Sequence, residues 1–266
     1  MEKLQAALEK ARSKRNGMSP PERAKAPKPT ASKPGGTDAL WADLKPFDVD
    51  EKQLQRNRIV TREASSKAAP FDILRTKVLL QMRQNGWKRL AITSPMPRSG
   101  KTTTACNLAL GLGRQSDLRS ILMDLDLRDP SIHKFFDKTP EKGIGDVLSS
   151  KVSFADQAMR FQENVAVSMA KTSDADPTRL LLAEETAEVI SQVEAQYQPD
   201  LMIFDLPSVL VNDDTRAFLK NVDCALIVAR ANKTRYSQFD TCEREIAEHT
   251  NVLGVVLNAF MSSGTD

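Results

Sequence analysis

The sequence predicts an α/β fold in which a mostly parallel sheet carries helices on both faces. Two observations predict it: short apolar segments of strand length, and helical stretches that lie between most of them. The strands are expected at 89–94, 120–125, 165–169, 201–205, 225–229 and 254–257. The helices between them are expected at 102–115, 178–196, 213–220 and 236–249. Strands that alternate with helices form βαβ units, whose binding sites lie beyond the carboxyl ends of the strands.

The composition is that of an ordinary globular protein and excludes several other classes. Of 266 residues, 40% are hydrophobic and 27% are charged. No apolar run approaches the roughly 18 residues of a membrane span, and the N-terminus lacks a signal peptide's apolar core, so we expect a cytoplasmic protein. Cys106, Cys224 and Cys242 form no CxxC pair and only two histidines are present, which argues against a disulfide framework and a zinc site.

The first 40 residues are expected to form a separate basic arm. Residues 1–40 hold nine Lys/Arg and four Asp/Glu, a balance of +5, whereas the remainder of the chain has a balance of −2. The spacing in 2–15 indicates either a short amphipathic helix or a frayed, solvated one. The proline-rich stretch 16–38 indicates a disordered linker. The basic charge has no interleaved aromatic residues, so nucleic acid is not an expected partner.

The rest of the chain divides into a transitional segment, 41–68, and a main domain, 69–266. In the transitional segment, three apolar residues are expected to pack back on the domain: Trp41, Leu44 and Phe47. The domain is expected to open with a helix that begins at Pro70, because proline suits a first helical turn, and ends at Asn85-Gly86. The apolar stripe of this helix is expected to serve packing alone; it comprises Phe71, Leu74, Val78 and Met82.

A phosphate-binding loop is predicted where the first long strand meets the following helix. The strand is expected to end near Thr93, and Gly100-Lys101-Thr102-Thr103 opens the helix. This strand–loop–helix context is the one that a P-loop requires, with Lys101 reaching the β- and γ-phosphates and the Thr102 hydroxyl binding Mg²⁺. Pro95 occupies the position where the P-loop pattern has its first glycine. A turn that merely contains Gly-Lys-Thr is the alternative.

Carboxylates at the ends of two later strands strengthen this interpretation. One apolar strand ends in Asp124-Leu-Asp126, and another ends in Asp205. A buried carboxylate is costly unless it is paired, hydrogen-bonded or close to a metal ion. Asp124 and Asp126 alternate, so their side chains are expected to point to one side of a strand. A P-loop and two such strands, in this order along the chain, predict a P-loop NTPase fold that binds a nucleotide.

From about Pro70 to Phe260 the chain resembles the bacterial tyrosine kinases of the CpsD/CapB type, the cytoplasmic kinases of capsule and exopolysaccharide assembly. The helix before the loop, the loop itself, and the strands ending in Asp124-Leu-Asp126 and Asp205 correspond in order to family motifs. The stretches that carry the resemblance are 71–76, 94–109, 122–130, 143–148, 176–181 and 204–207. The stretch 122–130, Leu-Met-Asp-Leu-Asp-Leu-Arg-Asp-Pro, is the most specific of them.

The resemblance implies an ATP- and Mg²⁺-dependent transfer of the γ-phosphate to protein tyrosine, which regulates exopolysaccharide or capsule synthesis and export. Asp124 is implied as the catalytic base and Mg²⁺ organiser, with Asp126 assisting. Lys101 would neutralise charge on the γ-phosphate; the implied metal residues are Thr102, Asp124 and Asp205. The implied nucleotide-binding residues are Pro97, Arg98, Ser99, Gly100, Lys101, Thr102, Thr103, Arg230 and Asn258. Arg230 and Asn258 match positions near the adenine ring, with strand-end capping as the alternative.

The partners that the resemblance implies are a membrane-embedded polysaccharide co-polymerase or chain-length regulator as activator, a protein tyrosine substrate, and further copies of the chain in a homo-oligomer. The basic arm suits family members that lack a membrane span of their own. We therefore expect the arm to tether a cytoplasmic domain to the inner face of the cell membrane, through the partner or anionic lipid.

The chain departs from the family pattern in several places. Arg98 replaces the loop glycine that most easily adopts positive φ, and Ser208 stands where proline is usual. Of the family's Glu-x-x-Arg-x-x-Arg helix, which supports ring assembly, only Arg75 is present. The tyrosine-rich tail is absent, since the tyrosines are Tyr197 and Tyr236.

Two other functions are compatible with the same fold. A ParA/MinD-like ATPase would switch assembly or surface attachment, but it would carry a lysine where this chain has Met96. A non-catalytic ATP-binding regulator of polysaccharide export would agree with the altered loop and the missing tail. The sequence leaves both open.

Overall fold

The computed structural model of the protein describes residues 34–171 and 176–260. The predicted amphipathic stretch 2–15 and most of the predicted linker lie outside these residues. The part of the chain that is described contains the P-loop and both carboxylate-bearing strands.

The sheet has eight strands and is parallel except for one pair, which confirms the predicted α/β architecture. The strands are β1 (Lys45–Phe47), β2 (Arg89–Thr93), β3 (Ser120–Asp124), β4 (Met159–Phe161), β5 (Val165–Ser168), β6 (Leu201–Asp205), β7 (Cys224–Arg230) and β8 (Asn251–Asn258). Their order is β1-β4-β5-β3-β6-β2-β7-β8, and only β4 and β5 run antiparallel. All six predicted strands are present. The sequence did not reveal β1 and β4, because three residues are too few to show a strand period.

Helices connect the strands and cover both faces of the sheet. They are α1 (Pro34–Asp43), α2 (Glu51–Arg56), α3 (Ala69–Asn85), α4 (Lys101–Gly113), α5 (Ile132–Phe135), α6 (Ile144–Leu148), α7 (Phe154–Gln157), α8 (Pro177–Leu182), α9 (Glu184–Tyr197), α10 (Asp214–Leu219) and α11 (Tyr236–Ala247). The core on one face comes mainly from α3 and α4, and the core on the other from α6 and α8 to α11. No described helix has both the length and the apolar character that crossing a bilayer requires.

The opening helix of the domain agrees with the prediction. Helix α3 has Pro70 in its first turn and ends at Gly86, which adopts a left-handed conformation with φ 65°. Val78 and Met82 are buried, and Leu74 packs beside them at the edge of the core. Phe71, the fourth residue of the predicted packing stripe, lines the cleft of the candidate site instead. All three cysteines are buried free thiols, as expected of a chain without a disulfide framework.

Two predicted boundaries were wrong. Residues 34–38 were assigned to the linker but form the start of α1, where Pro34 suits the first turn and the burial of Trp41 anchors the helix. The helix expected over 178–196 is divided at Ala183, which is extended at φ −60° and ψ 144°. A new helix begins there because Glu184 and Glu185 suit the positive end of its dipole.

Helix α1 is anchored at the amino-terminal edge of the sheet. The Trp41 indole Nε1 donates to the Tyr197 carbonyl oxygen at 2.8 Å, and the two rings pack edge to face. Arg119, directly before β3, lies over the Trp41 ring at 5.4 Å and pairs with Asp38 at 2.5 Å. The predicted packing of Trp41, and with it that of Leu44 and Phe47, is therefore confirmed.

Candidate active site

The predicted strand–loop–helix unit is present at the carboxyl edge of the sheet. Strand β2 ends at Thr93, and α4 begins at Lys101. Within the loop, the hydroxyl groups of Ser94 and Ser99 both donate to the Met96 carbonyl oxygen, at 2.8 and 2.7 Å. These bonds fold the loop tightly over the start of α4, where the backbone N–H groups of the first turn lack helical partners.

The loop adopts positive φ at two positions, Arg98 (59°) and Gly100 (96°). The glycine that the family resemblance led us to expect at 98 is therefore replaced by a residue that still takes the glycine-like conformation, at a cost of about 1 kcal/mol. Two side chains secure this backbone. Arg230 Nη1 donates to the Arg98 carbonyl at 3.2 Å, and Asn258 Nδ2 donates to the Ser99 carbonyl at 2.9 Å.

Replacing Gly100 by alanine is expected to damage this loop. A Cβ atom at this position would lie 2.0 Å from Asn258 Nδ2, and the φ of 96° strains any residue with a side chain. Losing the Asn258 hydrogen bond and adding that strain should lower the free energy of unfolding by about 2 kcal/mol. Denaturant titration measures the loss. Gly36→Ala, where nothing lies within 4 Å of the new Cβ, is the control and should unfold like the wild type.

Lys101 and Asp126 form an ion pair on the lining of a cleft of about 910 Å³ that opens above the loop. The Lys101 Nζ lies 3.7 Å from Asp126 Oδ2. Burial raises the pKa of Asp126 above its ordinary value, and the Lys101 charge opposes that rise. The ammonium group of Lys101 and the carboxylate of Asp126 are therefore already in place next to the loop before a nucleotide binds.

Asp124 lies beneath the cleft and is fully buried. Its Oδ2 accepts from the backbone N–H groups of Ser131 and Ile132 at 3.1 and 3.0 Å, and its Oδ1 accepts from Asp126 N at 3.3 Å. Strand β3 ends at Asp124, although Leu125 N–H still donates to the Asp205 carbonyl oxygen at 2.9 Å, so Asp126 lies just beyond the strand rather than on it. Asp126 lines the cleft, whereas Asp124 is buried below it and accepts hydrogen bonds from the segment that follows.

Asp205 is the neighbour of Asp124 on the adjacent strand, and the two are paired in register. It is fully buried, and neither of its carboxylate oxygens accepts a hydrogen bond from the described residues. Burial raises the pKa of Asp205 to about 6, although the Lys101 charge and the nearby Thr102 hydroxyl oppose the rise. Burial and Asp205 likewise raise the pKa of Asp124 well above its ordinary range. A site that leaves a carboxylate orphaned in this way suits a cation.

Asp205 should therefore cost the ligand-free protein stability. Its pKa is about 6 in the fold and 3.8 ordinarily, so the cost is absent near pH 4, grows as the pH rises, and is complete above pH 6. In chelator and without nucleotide, Asp205→Asn should raise the free energy of unfolding by up to about 3 kcal/mol at pH 8 and by little near pH 4. Exposed Asp117 supplies the control, Asp117→Asn. An equal change at both pH values would contradict the prediction.

The site is compatible with Mg²⁺ held jointly by protein and phosphate. Across 34–171 and 176–260, no group of three or more His, Cys, Asp or Glu could hold a metal ion. Mg²⁺ in nucleotide sites commonly takes one or two protein ligands and completes its shell with phosphate oxygens and water. The Thr102 hydroxyl, which lines the cleft and lies 3.0 Å from the Ser131 hydroxyl, and the orphaned Asp205 carboxylate fit that role.

The structure brings most of the predicted site residues to one cleft. Those that line it are Pro97, Arg98, Gly100, Lys101, Thr102, Thr103, Asp126, Arg230 and Asn258. Ser99, Asp124 and Asp205 are buried next to it. Sequence reasoning did not assign a site role to Arg128, which also lines the cleft, although it stands in the same motif as Asp124 and Asp126.

Arg75 is the one residue retained from the family's assembly helix, and its side chain is engaged in contacts within the same chain. Its Nη1 donates to the Gly111 carbonyl at 2.8 Å and pairs with Asp72 at 3.1 Å. Asp72 also pairs with Arg114 at 3.0 Å. These contacts tie α3 to α4 behind the loop.

Comparison with known proteins identifies relatives for most of the chain. The tyrosine-protein kinase YwqD of Bacillus subtilis is 29% identical over 210 residues, which are 77% of this chain and 87% of YwqD. The putative tyrosine-protein kinase CapB of Staphylococcus aureus is 24% identical over 196 residues, or 73% of this chain and 85% of CapB. No protein-family model matches the chain.

The solved structures agree with these relatives. The kinase domain of the Escherichia coli tyrosine kinase ETK superposes with a TM-score of 0.69 at 25% identity, covering 76% of this chain and 79% of that domain. The P-loop NTPase fold predicted from the loop and the carboxylate-bearing strands is therefore confirmed.

Proposed function

This chain is a homologue of the bacterial tyrosine-protein kinases, and from that premise we propose that it is an ATP-dependent protein-tyrosine kinase. The observation that carries the proposal is the orphaned, buried Asp205 beside Asp124, directly under a P-loop cleft lined by Lys101 and Asp126. A purely structural buried carboxylate would be hydrogen-bonded or neutralised, as Asp124 is by three backbone N–H groups. The Asp205 carboxylate, left without such partners among the described residues, fits a site that handles the charge of Mg²⁺ and a triphosphate.

In the proposed mechanism each residue has a separate task. The loop and the start of α4 bind the phosphates through backbone N–H groups, and Lys101 neutralises charge on the terminal phosphate. Thr102 and Asp205, with Asp124 beside them, are the residues that would hold Mg²⁺, which supplies further charge compensation when it is bound. The exposed side of the cleft admits the acceptor tyrosine.

The tyrosine hydroxyl must lose a proton as its oxygen bonds to the γ-phosphorus and the bond to ADP breaks. Asp126 and Asp129 both line the cleft, but Asp126 is largely buried whereas Asp129 is exposed. Burial raises the pKa of Asp126 above its ordinary value, which makes it the better proton acceptor of the two. We therefore assign the base role to Asp126 ahead of Asp124, whose oxygens accept three backbone hydrogen bonds. Arg230 and Asn258 hold the loop and flank the cleft where the family places the adenine ring.

Incubation with γ-labelled ATP and Mg²⁺ tests the proposal. The reaction is run with and without the cytoplasmic segments of a membrane-embedded chain-length regulator, since we propose such a protein as activator in exopolysaccharide or capsule export. Acid-stable phosphotyrosine on the partner or on added tyrosine peptides is the expected product. Free phosphate without phosphotyrosine would overturn the kinase in favour of an ATPase.

A second candidate, an ATP-binding regulator without catalysis, is favoured by one observation. Arg98 is a non-glycine residue that adopts positive φ within the loop. If this strain abolishes turnover, the chain should bind Mg²⁺-ATP without releasing phosphate or forming phosphotyrosine. Arg98→Gly would then restore turnover to the regulator, whereas it should change the activity of a working kinase by less than about tenfold.

We further propose that the basic arm tethers the domain to the inner membrane face or its partner there. Deleting residues 1–33, which precede the first described helix, should leave the melting temperature and ATP affinity nearly unchanged. The deletion should weaken co-sedimentation with partner-containing membranes, and added salt should do the same. A large drop in melting temperature with membrane association intact would assign the arm to the fold instead.

A further inference from the structure

A buried aspartate outside the described catalytic group makes close contacts at the rim of the cleft. Asp214, the first residue of α10, has a side chain only 1% exposed. Its Oδ2 accepts from Arg128 Nε at 2.7 Å, and its Oδ1 accepts from Arg128 Nη2 at 3.0 Å. The Thr178 hydroxyl also donates to Oδ1 and accepts from Arg128 Nη2 at 3.2 Å. The carboxylate thus joins three segments that are far apart in the sequence.

The arrangement fixes the orientation of a guanidinium group. A two-point contact between arginine and carboxylate aligns both planes, which a single contact or a lysine does not achieve. Arg128 lines the cleft with Lys101 and Asp126, and its side chain is 47% exposed there. With Nε and Nη2 engaged, Nη1 donates to no atom of the described residues. One edge of the guanidinium is therefore held by Asp214 and Thr178, and the other edge has no hydrogen bond among the described residues.

Stability alone is a weak explanation for this pair. Burying a carboxylate costs several kcal/mol, and a buried ion pair typically only balances that cost. The neighbouring Asp213 pairs with Arg216 at 2.8 Å on the surface, without burial. The chain therefore places two successive aspartates in different roles, and only Asp214 reaches the cleft through its partner.

We infer that Asp214 is a positioning residue that holds Arg128 against the γ-phosphoryl group during transfer. The inference rests on the nucleotide site of the proposed kinase. Arg128 supplies positive charge next to the negatively charged oxygens of the transferring phosphoryl group. Asp214 and Thr178 keep the guanidinium in that position. The bond changes stay those of the kinase reaction: the acceptor oxygen bonds to phosphorus, the bond to the ADP oxygen breaks, and Arg128 exchanges no proton.

Binding of a transition-state mimic tests this without turnover. Affinities for Mg²⁺-ADP with and without aluminium fluoride are measured by calorimetry. The affinity with aluminium fluoride divided by the affinity without it is the ratio that reports contacts to the transferring group. Arg128→Ala should reduce the ratio at least about 100-fold, and Asp214→Asn about tenfold, with ADP affinity itself changed less than about threefold. Asp213→Asn, the matched control, should keep the wild-type ratio. Melting curves check that each variant is folded.

The double variant separates positioning from a structural effect. If Asp214 acts through Arg128, adding Asp214→Asn to Arg128→Ala should lower the ratio no further. Arg128→Lys should resemble Asp214→Asn, because lysine keeps the charge but not the two-point contact. An unchanged ratio in Asp214→Asn, or a fully additive loss in the double variant, would overturn the inference. Failure of the kinase proposal looks different. The wild type would then hydrolyse ATP without forming phosphotyrosine, while the wild type and the variants would still show the affinity ratios expected here.

Discussion

Lys101→Met is expected to lower the affinity for Mg²⁺-ATP at least about 100-fold. The Lys101 side chain is almost fully buried, and its Nζ lies 3.7 Å from Asp126 at the phosphate end of the cleft. Methionine keeps a similar stem but removes charge-assisted hydrogen bonds to two phosphates, each worth about 1.5–3 kcal/mol. Isothermal titration calorimetry measures the difference directly.

The same experiment has a matched control. Lys67 also lines the cleft but is exposed and lies outside the loop, so Lys67→Met should change the affinity less than about threefold. The loss in Lys101→Met should be far smaller for adenosine than for ATP, because adenosine has no phosphate for Lys101 to bind. Equal ATP affinity in Lys101→Met and wild type would disprove the P-loop assignment.

Asp126→Asn is expected to reduce turnover about 1000-fold and nucleotide affinity less than about tenfold. Asparagine has nearly the same shape, but it accepts no proton from the tyrosine hydroxyl, and a general base typically contributes 10²–10⁴-fold, that is, roughly three orders of magnitude. Steady-state rates of phosphotyrosine formation and calorimetric nucleotide affinities together measure the split. Asp129→Asn is the control, since Asp129 stands in the same motif but its side chain is 90% exposed and pairs with Lys134.

Asp124→Asn distinguishes the two carboxylates. Both Asp124 oxygens face backbone N–H donors, so an amide group places its own N–H against a donor in either orientation. The variant should therefore disturb the turn that carries Asp126 and lower both turnover and nucleotide affinity. If Asp124→Asn lost turnover but kept its nucleotide affinity, and Asp126→Asn stayed active, the base role would return to Asp124.

The sequence predicted the central fold because the strands near the site are fully buried. Strands β2, β3 and β6 are buried at every residue, and such strands appear as short uninterrupted apolar runs. Strands β1 and β4 lie at the margin, where one side chain in three is buried. The start of α1 escaped prediction for a related reason: its stability comes from Trp41 meeting Arg119 and Tyr197, which are distant in the sequence.

At the candidate site, the sequence predicted which residue types come together better than which of their side chains reach the cleft. Lys101, Asp126 and Asp205 are where the motifs placed them, because a P-loop and its neighbouring strand ends are determined by local geometry. The division of labour that we propose for Asp124 and Asp126 depends on the residue at which β3 stops, and no local signal marks that point. The Asp214–Arg128 contact spans 86 positions and requires α8 and α10 to be packed first.

The anchor of α1 also determines how a mechanical load travels through the molecule. Whatever restrains the residues before Pro34 pulls on Trp41 and Arg119, at the amino-terminal edge of the sheet. The cleft opens at the opposite edge, with the full length of β3 and β6 between the two. A pull entering through α1 would therefore reach the body at the edge opposite the phosphate loop. A tether of the kind proposed would orient the cleft from behind without contacting it.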